Sequence, residues 1–109
     1  MSYTYKVLGQ EAPAATTNTT LYTVGSGKQA IISTIVIANR AATGATYRIA
    51  VRPSGATLAN LHYIAYDVAI AANDSTALTL GLTLGAGDVI TVYASSINLS
   101  FGAFGTEIS

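Results

Sequence analysis

Cysteine and tryptophan are absent from the 109 residues, and charge is scarce, with five Lys or Arg against five Asp or Glu. The lack of cysteine excludes disulfides, thiolate catalysis and cysteine-based zinc sites, and leaves the redox compartment open. Zero net charge excludes the basic excess that a phosphate backbone demands, so no direct nucleic-acid partner is expected. No apolar run approaches the roughly 20 residues of a membrane-spanning helix. The opening MSYTYKVLGQ lacks a basic segment followed by an apolar block, so no signal peptide is expected and the chain should first fold in a cytoplasm. A single histidine, His62, cannot build a metal centre alone.

Half of the chain is hydrophobic but only 9% is charged, against about 25% charged in an average soluble domain. Ser, Thr and Asn must then solvate the outside, or part of the outside must be an interface. Weakly charged surfaces rich in small apolar residues tend to associate, so an interface is expected.

The periodicity is that of strands. Asp88–Ala94 alternates Val89, Thr91 and Tyr93 against Ile90, Val92 and Ala94. Ile97–Phe104 alternates Ile97, Leu99, Phe101 and Ala103 against Asn98, Ser100, Gly102 and Phe104. With only Ser95-Ser96 between them, these two runs predict an antiparallel hairpin. Further strands are expected at Ser2–Leu8 (a short strand or an extended arm), Thr19–Val24, Gln29–Ala38, Ala45–Arg52, Leu61–Val68 and Thr76–Leu80. Gln29–Ala38 is apolar on both sides, with Ile32, Thr34 and Val36 opposite Ile31, Ser33, Ile35 and Ile37, which predicts a central strand covered on both faces. Turn residues punctuate the runs at Gly25-Ser26-Gly27, Pro53-Ser54-Gly55, Asn73-Asp74-Ser75 and Gly85-Ala86-Gly87. No helical stripe persists over three turns. About seven to nine short strands in this pattern predict an all-β fold, an antiparallel two-sheet β-sandwich of jelly-roll or immunoglobulin-like strand order. Residues 1–17 read as an N-terminal strand or arm with its Pro13 connector, and residues 18–109 as the sandwich.

No catalytic constellation emerges, and no enzyme, cofactor or metal is expected. His62 lies in a tyrosine-rich strand and reads as a strand-face or interface residue. Asp67, Asp74 and Asp88 stand at turns, where Asp commonly bonds its own backbone; a calcium site built from Asp74 and Asp88 is the alternative. Glu11 and Glu107 suggest no acid–base pair. The candidate functional residues are those of an interface. Arg48 and Arg52 share a strand face across Ala50, with Arg40 in the preceding loop, and read either as a solvated face or as a stripe that docks a partner's carboxylates. Of the seven tyrosines, Tyr47, Tyr63 and Tyr93 are expected in the core. Tyr3 and Tyr5 are expected to anchor in a neighbouring subunit, and deletion of Ser2–Gly9 to leave the sandwich folded.

Three stretches, YKVLGQEAPAATTNTTLYTV, STIVIANRAATGATYRIAVRPSG followed by HYIAYD, and LTLGAGDVITVYASSINLSFGAFGTEI, resemble small structural proteins of tailed bacteriophages, those of marine cyanophages in particular. The resemblance spans nearly the whole chain and is most specific over Leu84–Ser95 and Ser100–Ile108. It implies a β-sandwich component of the virion, made in the host cytoplasm. A capsid decoration (cement) protein would bridge capsomers of the major capsid protein as a small homo-oligomer, a trimer being favoured. A tail, neck or baseplate component is the alternative. A glycan- or receptor-binding module is the second alternative; it would be expected to display aromatics in a loop, and Asn39–Gly44, Ser54–Asn60 and Ala71–Ser75 contain none.

Overall fold

The computed structural model describes residues 1–109. Eight strands form two four-stranded antiparallel sheets: β1 (Tyr3–Glu11), β2 (Thr19–Thr23), β3 (Gln29–Asn39), β4 (Ala45–Arg52), β5 (Tyr63–Ile70), β6 (Ser75–Leu84), β7 (Val89–Ala94) and β8 (Leu99–Ile108). Sheet A has the order β1-β8-β3-β6, and sheet B the order β2-β7-β4-β5. Every strand pairs with the one that brings its number to nine: β1 with β8, β2 with β7, β3 with β6 and β4 with β5. A long hairpin folded over in this way, with β8 also on β3 and β7 also on β4, is the strand order of a jelly roll. Of the two expected arrangements, the immunoglobulin-like one is excluded.

The same topology corrects the expected hairpin at the end of the chain. β7 and β8 alternate as read, but β7 belongs to sheet B and β8 to sheet A. The Ser95–Asn98 link therefore crosses from one layer to the other. A two-layer fold has two solutions for adjacent strands, and alternation alone does not choose between them. The only sequence-adjacent strands that pair are β4 and β5.

Between the layers lies one core. Ile32, Ile35 and Ile37 of β3, together with Leu99, Phe101 and Ala103 of β8, face Tyr47 and Ile49 of β4 and Ile90, Val92 and Ala94 of β7, all buried. Each large side chain removed from water contributes about 1.5–3 kcal/mol. Tyr47 and Phe101 meet edge to face across the layers, their centroids 6.3 Å apart, and burial raises the pKa of the Tyr47 phenol.

The spacing of Ile32 and Ile35 reveals where simple alternation fails. Ser33 is an extra residue in β3: Ile32 pairs with Gly105 and Thr34 with the next residue, Phe104. This β-bulge reverses the facing of everything after it, so Ile35 and Ile37 join Ile32 inside while Thr34 and Val36 turn outward. Ser33 Oγ donates to the Phe104 carbonyl at 3.0 Å. The expected division, with Ile32, Thr34 and Val36 on one face, is thus corrected. A second bulge lies at Leu8 in β1, between Val7, which pairs with Phe104, and Gly9, which pairs with Ala103. Glycine is required where the strands crowd: a Cβ at Gly105 would overlap the backbone of Ile31, and one at Gly9 the carbonyl of Leu21.

Residues 1–17 are not set apart from the rest. Tyr3–Glu11 is hydrogen-bonded along β8 as an edge strand of sheet A, so of the two readings of this segment the structure has the strand. The connector narrows to Ala12–Asn18, in which Pro13 is buried. β1 and β2 come together at this lateral side of the sandwich, whereas β5 and β6 remain apart at the other.

Candidate interface

Sheet A turns toward solvent a face assembled from four strands. The register places Tyr3 beside Ile108, Tyr5 beside Thr106, and Val7 beside Phe104. On the other side of β8, Ile31 lies beside Thr106, Thr34 beside Phe104, and Val36 beside Gly102. β6 then adds Thr83, Thr79, Ala77 and Ser75 to these rows. No outward position on β1, β8, β3 or β6 carries a charged side chain. Tyr3 is 57% exposed, Tyr5 81%, Val7 50% and Ile31 41%. The Phe104 ring folds over Gly102, where a Cβ would come within 3.0 Å of it. Beside that ring a shallow hollow of about 170 Å³ opens between Gln10, Val36, Ala38 and Ser100.

Arg40 stands at the far border of this face, where its Nε donates to Ser100 Oγ at 2.8 Å and its guanidinium also reaches the Ile97 carbonyl at 3.0 Å. Tyr3, Tyr5 and Arg40 therefore belong to one side of the molecule. Arg48 and Arg52 belong to the other, since both point outward from β4 in sheet B.

On sheet B each guanidinium is engaged within the chain. Arg48 lies between the rings of Tyr66 and Tyr93, 4.3 Å from each centroid, and grips Asp67 through Nε at 2.7 Å and a terminal nitrogen at 3.3 Å. The Asp67 hydrogen bond raises the Arg48 pKa still further, so the residue is a permanent cation with its counter-ion attached. Asp67 holds this position with φ of 51°, a left-handed conformation that Asp tolerates better than most residues. Arg52 donates to Thr91 Oγ1 at 3.0 Å and to the carbonyls of Ala56 and Gly55 at 3.0 and 3.4 Å. The two arginines do share a strand face, but as fasteners of that face. Tyr93 and Tyr63 lie on it too, half-buried, which corrects their expected place in the core; Tyr63 meets Tyr66 edge to face at 4.9 Å.

The remaining charges, the exposed Glu11 apart, are similarly engaged. Glu107, at the end of β8, accepts from the buried Tyr22 hydroxyl of β2 at 2.6 Å and pairs with Lys6 at 2.9 Å and Lys28 at 3.7 Å. The Tyr22 and Lys6 hydrogen bonds lower the Glu107 pKa from 4.5; burial and then the bond to Glu107 raise that of Tyr22. This contact joins the two sheets, and the Glu107–Tyr22 spacing in sequence gives no hint of it. Asp88 receives the Ser54 and Gly85 amides, both at 2.8 Å, and Asp74 receives the Ser75 amide at 2.8 Å. Asp74 and Asp88 flank opposite ends of β6 and its following turn, so the calcium alternative is not assembled, and no three His, Cys, Asp or Glu side chains cluster for a metal. His62 sits in a 3₁₀ turn ahead of β5, buried, its Nδ1 accepting the Ala59 amide at 3.0 Å. Its role there is to close that turn.

No family model, curated protein or solved structure matches the chain.

Proposed function

We propose that this protein is a structural component of a tailed-bacteriophage virion, a capsid decoration (cement) protein that lies on the major capsid protein lattice through the outer face of sheet A. The observation that carries this reading is the absence of charge across that four-stranded face, with Tyr3, Tyr5, Val7 and Ile31 exposed on it. Apolar residues with rigid aromatics on a flat, pre-formed surface suit contact with another protein. The engagement of almost every charge inside the chain agrees with it, because such a surface has little with which to steer a polyelectrolyte. The strand order agrees by analogy, since jelly rolls recur in viral capsid proteins, although lectin domains and cupins share it. On a shell, weak contacts repeated by symmetry sum through multivalency.

Quantitative mass spectrometry of purified virions tests this. A ratio near one copy, or a fixed fraction of a copy, per major capsid protein supports decoration. A ratio lower by an order of magnitude or more places the protein in the tail, neck or baseplate, and absence from virions overturns the structural reading.

One observation favours the glycan-binding alternative. Its expected aromatics are absent from the loops, but Tyr66 is 55% exposed on sheet B and forms with Tyr63 and Asn60 an open corner of about 350 Å³. Ring faces of this kind stack on sugars. Binding to a glycan array that is lost in Tyr66→Ala supports that reading; no binding removes it.

A further inference from the structure

Four strands end the two sheets, and three each combine two features that resist pairing with another chain, where the fourth has one. β1 carries Lys6 and a bulge at Leu8. β2 is five residues long, with a register shift at Leu21. β5 is broken by register shifts against β4 around Asp67, which has a positive φ. Charges, bulges and short length are the devices by which edge strands avoid association. β6 has ten residues, STALTLGLTL, without a charge or a proline. Its irregularity against β3, at Leu80-Gly81, is the one interruption. Leu78, Leu80 and Leu82 face the core but are only partly buried, because nothing at this open side of the sandwich closes over them.

About Leu80 this edge is symmetric in pattern, with leucines on the core side and small uncharged residues on the outer side. Thr79 and Gly81 flank Leu80, then Leu78 and Leu82, then Ala77 and Thr83. An antiparallel partner keeps side chains on the correct face only if paired residues share parity. Two copies paired with Leu80 opposite Leu80 satisfy that condition. Leu78 then meets Leu82 of the second copy on the core side, and Ala77 meets Thr83 on the outer side. Asp74, the nearest charge before β6, comes to rest about 40 Å from its equivalent at 3.4 Å per residue, far beyond the screening length of about 8 Å.

We infer that β6 is the pairing edge for a second copy of this chain, joining two sheets A into one eight-stranded sheet about a two-fold axis at Leu80. The strip covered is about 30 Å long and 10 Å wide, roughly 300 Å² per copy, below the roughly 800 Å² of a standard interface. The dimer is therefore concentration-dependent in solution and gains where copies are already held side by side. A two-fold contact does not build a trimer, which needs a different surface. The inference stands on the edge alone and does not depend on the virion reading.

The test uses the whole chain, in which any introduced thiol is unique because the sequence has no cysteine. Sedimentation velocity over a wide concentration range is expected to show a monomer–dimer equilibrium. A short bismaleimide linker is expected to join Leu80→Cys to itself, and Leu78→Cys to Leu82→Cys when the two are mixed, well above a Tyr5→Cys control. Leu80→Lys is expected to abolish the dimer, and mixing it with Leu80→Glu to restore one. Circular dichroism checks the fold, and the exposed Thr79→Lys replaces Leu80→Lys if that variant does not fold. A monomer at every concentration with linkage no better than the control overturns the inference. So does an oligomer of any order that survives Thr79→Lys and Leu80→Lys.

Discussion

The two outer faces of this sandwich are each built from four antiparallel strands and reach opposite solutions. Sheet B joins Arg48 to Asp67, Tyr66 and Tyr93 and ties Arg52 to Thr91, Ala56 and Gly55, so that its charges hold the face together. Sheet A places Tyr3, Tyr5, Val7, Ile31 and Phe104 side by side with no charge among them. A face whose polar groups are already partnered has little left to offer a partner. A face with exposed aromatics and aliphatics and no charge has the composition that the proposed contact with another protein requires. The sequence places Arg40 in one stripe with Arg48 and Arg52, and only the fold separates it from them, at the border of sheet A.

The largest effect expected on that comparison comes from placing charge on sheet A. Tyr5→Asp combined with Ile31→Asp should cost about 3–4 kcal/mol of particle binding, some hundredfold or more in affinity. The melting temperature should hold, because both side chains are exposed; co-sedimentation with virions and calorimetry measure the two. Gly105→Ala probes the ground under the same face. Its Cβ would strike the Ile31 backbone, and we expect about 3 kcal/mol of lost stability in urea unfolding, with occupancy falling only as far as the fold does.

Glu107→Gln breaks the link between the layers. It leaves the buried Tyr22 hydroxyl and two lysines without their carboxylate, at about 2 kcal/mol. Because the folded-state pKa of Glu107 is lowered, its contribution is present above its ordinary value of 4.5 and fades as pH falls through the lower folded value. The wild-type protein should therefore lose stability on acidification below that point, and Glu107→Gln should lose less over the same window. The smallest effect belongs to sheet B. Arg48→Lys forfeits the fork on Asp67 and the stack between two tyrosines, a small drop in melting temperature on an exposed face. Particle occupancy should stay unchanged across salt concentrations. A salt-dependent loss would return the docking role to the arginine stripe.

Much of the fold was readable from period-two alternation. The all-β class, six of the eight strands to within three residues at each end and the inward sides of β4, β7 and β8 all follow from it; β6 and β8 run further than their alternation was read. Two things did not. Ser33 looks like any polar position in an alternating strand, yet as the extra residue of a bulge it inverts the facing of Ile35, Ile37 and Val36. The Ser95–Asn98 link looks like a tight turn, yet it crosses between layers. Both depend on what lies opposite, and a single strand does not carry its partner's identity. Of the candidate site, Tyr3 and Tyr5 were visible as exposed aromatics. Their neighbours Ile31 and Phe104 were not, because β8 brings together residues that are far apart in the chain. Deletion of Ser2–Gly9, harmless if that segment were a free arm, is now expected to bare the β8 edge and destabilise the sandwich.

The pairing of β1 with β8 also sets an order of events in time. β1 finds its in-sheet partner only in β8, and Ser2 and Ser109 exchange backbone hydrogen bonds beside that ladder. Only β4 and β5 can close early; every other ladder waits for distant sequence, which makes for slow folding. Sheet A is whole only once β8 joins β1 and β3, so its exposed face is completed after the β6 edge, whose ladder with β3 needs no residue beyond Leu84. Because the ends then lie side by side, joining them and opening the chain at the Ala71–Asp74 turn should give a circular permutant with the same fold and a different beginning.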